Sequence, residues 1–357
     1  MAKKHKVVCA KLIVNPSSGK VNGSGQLLEQ IIHDLSKLGV EVDVAYSMPK
    51  EQAQPVAERA VKDGYKLIIA MGGDDTIEAT IRGIALASGH KKHKVTLGMI
   101  PSGTANNLAK GLGIPEDVKQ ACALIASGHV RKLDMGQIKV GGGKKLPFFQ
   151  LATVGITAAV YPDALHASKG RLESIKGAIE KVLAYSSKPK VSLVLDDDSS
   201  ITVETMLALV TNVPLIGPNL LADPNASTED GLLDVAVYPH FNKGELLAYF
   251  TRLMEEGCHD AGIDENKIQR YRARELKIKA MPELDVMADG VMLGKGPAKI
   301  KLFPGALRVI APKAGSGVEK PLAATGVDLP APVASATGAT GAIHQGVVGK
   351  GMQTNGK

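Results

Sequence analysis

Three short segments hold the residue types that bind phosphate: Asn15-Pro16-Ser17-Ser18-Gly19-Lys20, Gly72-Gly73-Asp74-Asp75-Thr76 and Pro101-Ser102-Gly103-Thr104-Ala105-Asn106-Asn107. Their glycines let main-chain N–H groups approach an anion closely, their hydroxyls donate hydrogen bonds, and Lys20 adds a positive charge. Each segment follows an apolar run (Lys11 to Val14, Leu67 to Met71, Thr96 to Ile100) and leads into a stretch of helical periodicity. A strand, a small-residue turn and a helix start together aim N–H groups and a helix N-terminus at one point. Three such units in succession predict a polyphosphate site. Thr76 is expected to cap its helix while donating to phosphate, and Asp74 either caps that helix or faces the ligand. Asn106 is expected as an N-cap or a nucleotide contact. Farther along, Asp230-Gly231 puts a carboxylate at a tight turn entering a strand.

The elements that must position these groups fall into two textures. Residues 6 to about 128 alternate strands (Val7–Val14, Val40–Tyr46, Lys66–Met71, Val95–Ile100) with helices (Gln26–Leu38, Glu51–Lys62, Thr76–Ala87, and short ones from Asn106 and Glu116). That alternation predicts a parallel sheet with helices on both faces and a ligand beyond the carboxyl ends of the strands. From about Val130 strands dominate: Arg131–Val140, Phe148–Ala159, Val191–Asp196, Ile201–Val213, Leu232–Tyr238, Glu275–Ala280, Leu284–Ala288 and Ala298–Ile310, with helices at Lys169–Ser186 and Asn242–Glu256. These predict an antiparallel sandwich. The expected division is an α/β domain over 1–130, a β-rich domain over 131–312, and a disordered Gly/Ala/Thr/Pro/Val-rich tail over 313–357.

Composition narrows the function classes. The chain has 357 residues, 44% hydrophobic, enough for two cored domains. Aromatics are 3% and Trp is absent, which argues against stacking platforms for single-stranded nucleic acid. A formal charge of +7 attracts anions in general. Cys9, Cys122 and Cys258 are odd in number and widely spaced, predicting neither zinc nor a disulfide framework. The N-terminus lacks the apolar core of a signal peptide and no apolar run is long enough to cross a bilayer, so a cytoplasmic protein is expected.

Taken in order, the three turns, Asp223-Pro224-Asn225-Ala226-Ser227-Thr228-Glu229-Asp230-Gly231-Leu232-Leu233-Asp234, and Ala288-Asp289-Gly290 followed by Phe303-Pro304-Gly305-Ala306-Leu307-Arg308 resemble the catalytic region of diacylglycerol kinases, a group shared with sphingosine, ceramide and soluble bacterial lipid kinases. The resemblance spans residues 6 to 312. It implies γ-phosphate transfer from ATP to a lipid hydroxyl such as that of diacylglycerol, with Mg2+, in a cleft between two domains, working from a membrane surface. Nucleotide contacts are implied for Asn15, Ser18, Gly19, Lys20, Ser47, Gly72, Gly73, Asp74, Thr76, Glu78, Gly103, Thr104 and Asn106. A Mg2+ ion is implied at Asp230 with the carbonyls of Ser227 and Leu232. Homo-oligomerisation is left open, and no nucleic-acid partner is expected.

Two positions depart from the family pattern. Asp75 stands where Gly is usual and adds negative charge beside the expected triphosphate. Val291 stands where the family carries the carboxylate that accepts the hydroxyl proton, and valine accepts none. Asp289 and Asp74 are the candidate substitutes, or the transfer proceeds with little base assistance. Two readings compete with a lipid kinase: a nucleotide- or lipid-binding protein of weak or absent catalysis on the same fold, and an enzyme like the NAD kinases, which share the Gly-Gly-Asp loop.

Overall fold

The computed structural model describes residues 7–17, 25–47, 52–89, 94–103, 106–159, 180–182, 188–196, 199–216, 220–221, 223, 226–246, 248 and 265–313. The first part is built from β1 (Val8–Val14), α1 (Gly25–Lys37), β2 (Val40–Tyr46), α2 (Ala53–Lys62), β3 (Leu67–Gly72), α3 (Asp74–Ser88), β4 (Thr96–Pro101), α4 (Asn107–Gly111) and α5 (Val118–Ser127). The four strands pair parallel in the order β2-β1-β3-β4. Their side chains alternate between two layers. On one face Leu12, Val14, Ile69 and Met71 pack with Ile31 and Leu35 of α1 and Ile125 of α5. On the other, Ile13, Ile68, Ala70 and Met99 pack with α2 and α3. Both faces are therefore covered, as the unbroken apolar strands require.

The second part comprises β5 (Val130–Val140), β6 (Leu146–Phe148), β7 (Leu151–Gly155), β8 (Lys190–Leu195), β9 (Ser199–Glu204), β10 (Leu207–Thr211), β11 (Leu215–Ile216), β12 (Leu220–Leu221), β13 (Leu233–Val237), β14 (Gln269–Ala273), β15 (Glu275–Met281), β16 (Asp285–Ala288), β17 (Val291–Lys295) and β18 (Ala298–Ile310). The sheet β14-β13-β10-β7-β16-β17 is antiparallel throughout. It packs against β5, β8, β15 and β18 through a core that includes Val154, Val210, Val235, Leu193, Ile278 and Ile300. This is the α/β unit with an antiparallel sandwich that the pattern predicts. The parallel sheet does not end at β4, however. β18 lies parallel to β4 at Arg308 and Val309 and antiparallel to β5 and β15, so one ten-stranded mixed sheet runs through both parts.

Several boundaries differ from the sequence reading. α3 starts at Asp74 with Gly73 as its N-cap, so Thr76 lies inside the first turn and is not the cap. Phe148–Ala159 is no single strand: it breaks after Phe148, resumes as β7, and turns helical over 156–159. Ile201–Val213 likewise divides into β9 and β10. The predicted helix Lys169–Ser186, the second half of Asn242–Glu256, Cys258 and the tail beyond Lys313 lie largely or wholly outside the described residues.

Candidate active site

The carboxyl ends of β2, β1, β3 and β4 are flush. Val14 is in register with Tyr46 and with Met71, Met71 with Ile100, and Gly72 with Pro101. The turns that follow therefore emerge side by side, and their backbones interlock. Asn15 N–H donates to Met71 O at 3.0 Å, Ser47 N–H to Val14 O at 2.8 Å, and Ser102 N–H to Gly72 O at 3.0 Å. Asn15 Nδ2 donates to Thr76 Oγ1 at 2.9 Å, tying the first turn to the second.

The glycines make this convergence feasible. A Cβ on Gly103 would fall inside contact distance of Gly73 Cα and 2.9 Å from Asn106 Oδ1; a Cβ on Gly72 would meet Thr76 Cβ at 2.6 Å. Gly72 is thus required by the packing of Thr76, and Gly73 and Gly103 by each other. This packing demand stands beside the close approach of a phosphate expected at Gly72 from sequence. Asn106, buried at φ 53°, accepts from Gly103 N–H at 2.9 Å and returns a bond to Gly103 O at 3.0 Å. It closes the third turn with its side chain and makes no side-chain cap to α4.

The caps of α4 come instead from Asp74, whose carboxylate accepts the N–H groups of Asn107 and Leu108, both at 3.1 Å. Asp74 therefore locks the second turn to the third. Asp75 is exposed in the first turn of α3 and is absent from the positive-φ residues, so the backbone there makes no demand for glycine. Ser18, Gly19, Lys20 and Thr104 lie outside the described residues.

Facing these turns is the hairpin β16–β17. Its two turn residues, Asp289 (φ 39°) and Gly290 (φ 70°), both have positive φ, the backbone of a tight two-residue hairpin. The Asp289 carboxylate accepts from Gln150 N–H and Leu151 N–H at 3.0 Å each and from Phe149 N–H at 2.6 Å. This cluster explains the break between β6 and β7. Removal from water raises the Asp289 pKa, against the pull of those three N–H groups.

Between the two sets of turns stands Glu78, one turn into α3. Its Oε1 accepts from Gln150 Nε2, which itself lines the adjoining cavity. Desolvation pushes the Glu78 carboxyl well above its ordinary value, and the negative charges of Asp289, Asp75 and Asp74 add to the shift. Arg82, four residues on, opposes it and donates through Nη2 to Asp289 O at 3.3 Å. The seam thus sets two carboxyls, Glu78 and Asp289, within electrostatic reach of each other and of Arg82, which holds the Asp289 main-chain carbonyl. Gln150 and Arg82 escape sequence reading because neither sits in a glycine-rich segment; only the folded register brings them to the hairpin.

The adjoining cavity, about 180 Å3, lies between α4 and the turn at 226–229. Apolar Leu108, Leu112, Val213 and Pro214 line it together with Arg131 and Glu229, which pair at 2.9 Å. Behind that turn Asp134, unnoticed in the sequence, accepts from Gly231 N–H at 2.6 Å and Gly305 N–H at 2.7 Å; burial raises its pKa. Both carboxylate oxygens of Asp230 have partners: Leu232 N–H at 3.0 Å and the Arg272 guanidinium, which also bonds Asp234 at 2.8 Å. Arg272 divides its one positive charge between Asp230 and Asp234, so a cation held by Asp230 with the Ser227 and Leu232 carbonyls would have to share that carboxylate with the guanidinium. Among the described residues no cluster of three acids, histidines or cysteines is placed to bind a metal.

Comparison with known proteins gives a consistent result along the chain. The diacylglycerol kinase catalytic domain matches residues 9–138, and the YegS C-terminal NAD kinase beta sandwich-like domain matches residues 151–311. A diacylglycerol kinase of Staphylococcus haemolyticus is 30% identical over 314 residues, covering 85% of this chain and 88% of that protein. One of Bacillus subtilis is 28% identical over 313 residues, covering 85% and 96%. A crystal structure of a Bacillus anthracis diacylglycerol kinase superposes with a TM-score of 0.64 at 23% identity, over 87% of this chain and 99% of that one, and shares the fold.

Proposed function

Since the chain belongs to the diacylglycerol kinase family, phosphotransferases with an alcohol acceptor, we propose that it moves the γ-phosphate of ATP to the free hydroxyl of diacylglycerol. The observation that carries this reading is the convergence of the turns after β1, β3 and β4 beside a carboxylate pair. Phosphoryl transfer asks the protein mainly to position two substrates, to neutralise phosphate charge and to accept one proton. The turns at Asn15, Gly73 and Gly103 and the N-terminus of α3 are the proposed phosphate cradle. Ser18, Gly19, Lys20, Ser47 and Thr104 remain proposed nucleotide contacts. Mg2+ is proposed to arrive with the nucleotide, where it lowers the charge of the phosphate tail. The cavity beside Gln150, apolar on one side, is the proposed entry of the glycerol end of the lipid.

Glu78 is the proton acceptor in this proposal, in place of the carboxylate that Val291 lacks. Asp74 and Asp289, the two acids favoured by sequence, each spend their carboxylates on backbone N–H groups and act as positioning residues. Glu78 is bonded through one oxygen to Gln150, and its raised pKa brings it toward the range in which a general base works well. The reading is tested by incubating the full chain with γ-labelled Mg-ATP and vesicles containing diacylglycerol. Label in phosphatidic acid is expected; no label in any organic-extractable product overturns the proposal in favour of a binding protein on a kinase fold.

A further inference from the structure

Past β4, no helix among the described residues covers one face of the outer half of the ten-stranded sheet. β15 alternates strictly there: Leu276, Ile278 and Ala280 enter the sandwich core, whereas Glu275, Lys277, Lys279 and Met281 face outward. The strand register aligns the outward lysines. Lys139 of β5 lies opposite Lys299 of β18, and Lys299 opposite Lys277 of β15. Three ammonium groups thus form a row across adjacent strands, flanked by Lys145, Lys279, Lys301 and, on β8, Lys190. Like charges directly opposite one another destabilise a sheet. Folding by itself gives no reason for the row.

Neighbouring acids relieve it only in part. Glu275 is paired with Lys301, and Asp196 Oδ1 accepts the N–H groups of Arg274 and Glu275. Among the described residues Lys139, Lys277 and Lys299 have no ion pair. A hollow of about 260 Å3 lies in the middle of the face, lined by these three lysines with Lys145 and Lys301, against the two acids Asp196 and Glu275. At the edge of the face Met281 is 67% exposed, an apolar side chain in register with Lys190.

We propose that this lysine face docks the protein on a bilayer of anionic phospholipid, with headgroup phosphates between the strands' ammonium groups and Met281 at the acyl boundary. The charge complementarity is with a planar array of phosphates. Lysines act as point charges that suit a mobile headgroup layer, whereas fixed bidentate recognition of a phosphate is served by arginine. The choice of a bilayer over another polyanion rests on the lipid-kinase reading. The surface itself rests on register and charge alone.

Co-sedimentation of the full chain with vesicles of phosphatidylglycerol and phosphatidylcholine, without nucleotide, is the test. Binding is expected to the mixed vesicles, to fall with added salt, and to be lost on pure phosphatidylcholine. Neutralising the row as Lys139→Gln, Lys277→Gln and Lys299→Gln should weaken partitioning about fivefold per lysine, on the order of a hundredfold in all. Thermal unfolding should be unchanged or raised, because a like-charge row has been removed. Undiminished vesicle binding by the triple variant overturns the proposal, as does retention of duplex DNA in preference to the vesicles. Activity on detergent-dispersed diacylglycerol separates this proposal from the previous one. If that activity is absent while vesicle binding still depends on the lysines, the kinase reading alone fails; if it is present while vesicles are ignored, the docking face alone fails.

Discussion

Glu78, the proposed proton acceptor, is a side chain costly to the fold. Its carboxyl is held well above its ordinary value by desolvation and by the charges of Asp289, Asp75 and Asp74. A raised carboxyl pKa means that the folded state keeps a proton which the unfolded chain releases, so stability falls as pH rises through the folded value. The proton-accepting form is the ionised one, so kcat should rise with pH across the same interval and level off above it. Glu78→Gln should lower kcat by about a hundredfold to ten-thousandfold and abolish that limb of the profile, with the KM for ATP little changed. At neutral pH the same substitution should leave the melting temperature equal or higher, since an unfavourable buried charge is gone. A purely structural glutamate would show the reverse, with lost stability and an unaltered pH profile. Sequence reading placed Glu78 among the nucleotide contacts and looked for the base at Asp74 and Asp289. Which acid has its oxygens occupied depends on backbone N–H groups 33 and 34 residues away for Asp74 and 138–140 residues away for Asp289. No local pattern records that.

At the scale of elements, the strand–turn–helix units were legible because each carries its own signals: apolar runs of strand length, glycine at the turn, helical periodicity after it. What those signals could not show is that Gly73 and Gly103 serve one another. Gly103→Ala puts a methyl group against Gly73 Cα and Asn106 Oδ1. The neighbouring element is main chain, so the two turns must separate. We expect a loss of about 1–3 kcal/mol in unfolding free energy, the range for overpacking a tight site, together with a raised KM for ATP. Unchanged denaturant midpoint and unchanged KM in this variant would show that the two turns do not depend on each other. The strand that sequence reading drew unbroken from Phe148 to Ala159 fails for a related reason. Its residues have the apolar character of strand, but the three N–H groups at 149–151 turn toward the Asp289 carboxylate instead of a neighbouring strand. Local propensity carries no trace of a partner beyond position 280.

For the molecule as a whole, the two textures in the sequence correspond to two layers of chemistry but share a backbone. β18 pairs with β4 through Arg308 and Val309, with β5 along most of its length, and with β15 from Ala298 to Lys301. Leu307 and Val309 belong to the core shared with α2 and α3, whereas Ile300 and Leu302 belong to the sandwich core. One strand thus completes both hydrophobic cores, and neither half can bury its apolar face without it. The full chain should therefore unfold in one cooperative transition, with calorimetric and van't Hoff enthalpies in agreement. A chain ended after residue 297 removes five large buried apolar side chains, Ile300, Leu302, Leu307, Val309 and Ile310, from the cores of both halves at once. At roughly 1.5–3 kcal/mol for each buried side chain, that exceeds half of a typical domain's net stability. Such a chain should lose the protease resistance of the α/β part along with that of the sandwich. Two resolved calorimetric transitions, or a stable α/β fragment from the shortened chain, would show that the shared strand does not couple the halves. The proposed cleft would then have to be held by side-chain contacts such as those of Arg82 with Asp289, Gln150 with Glu78 and Arg131 with Leu112.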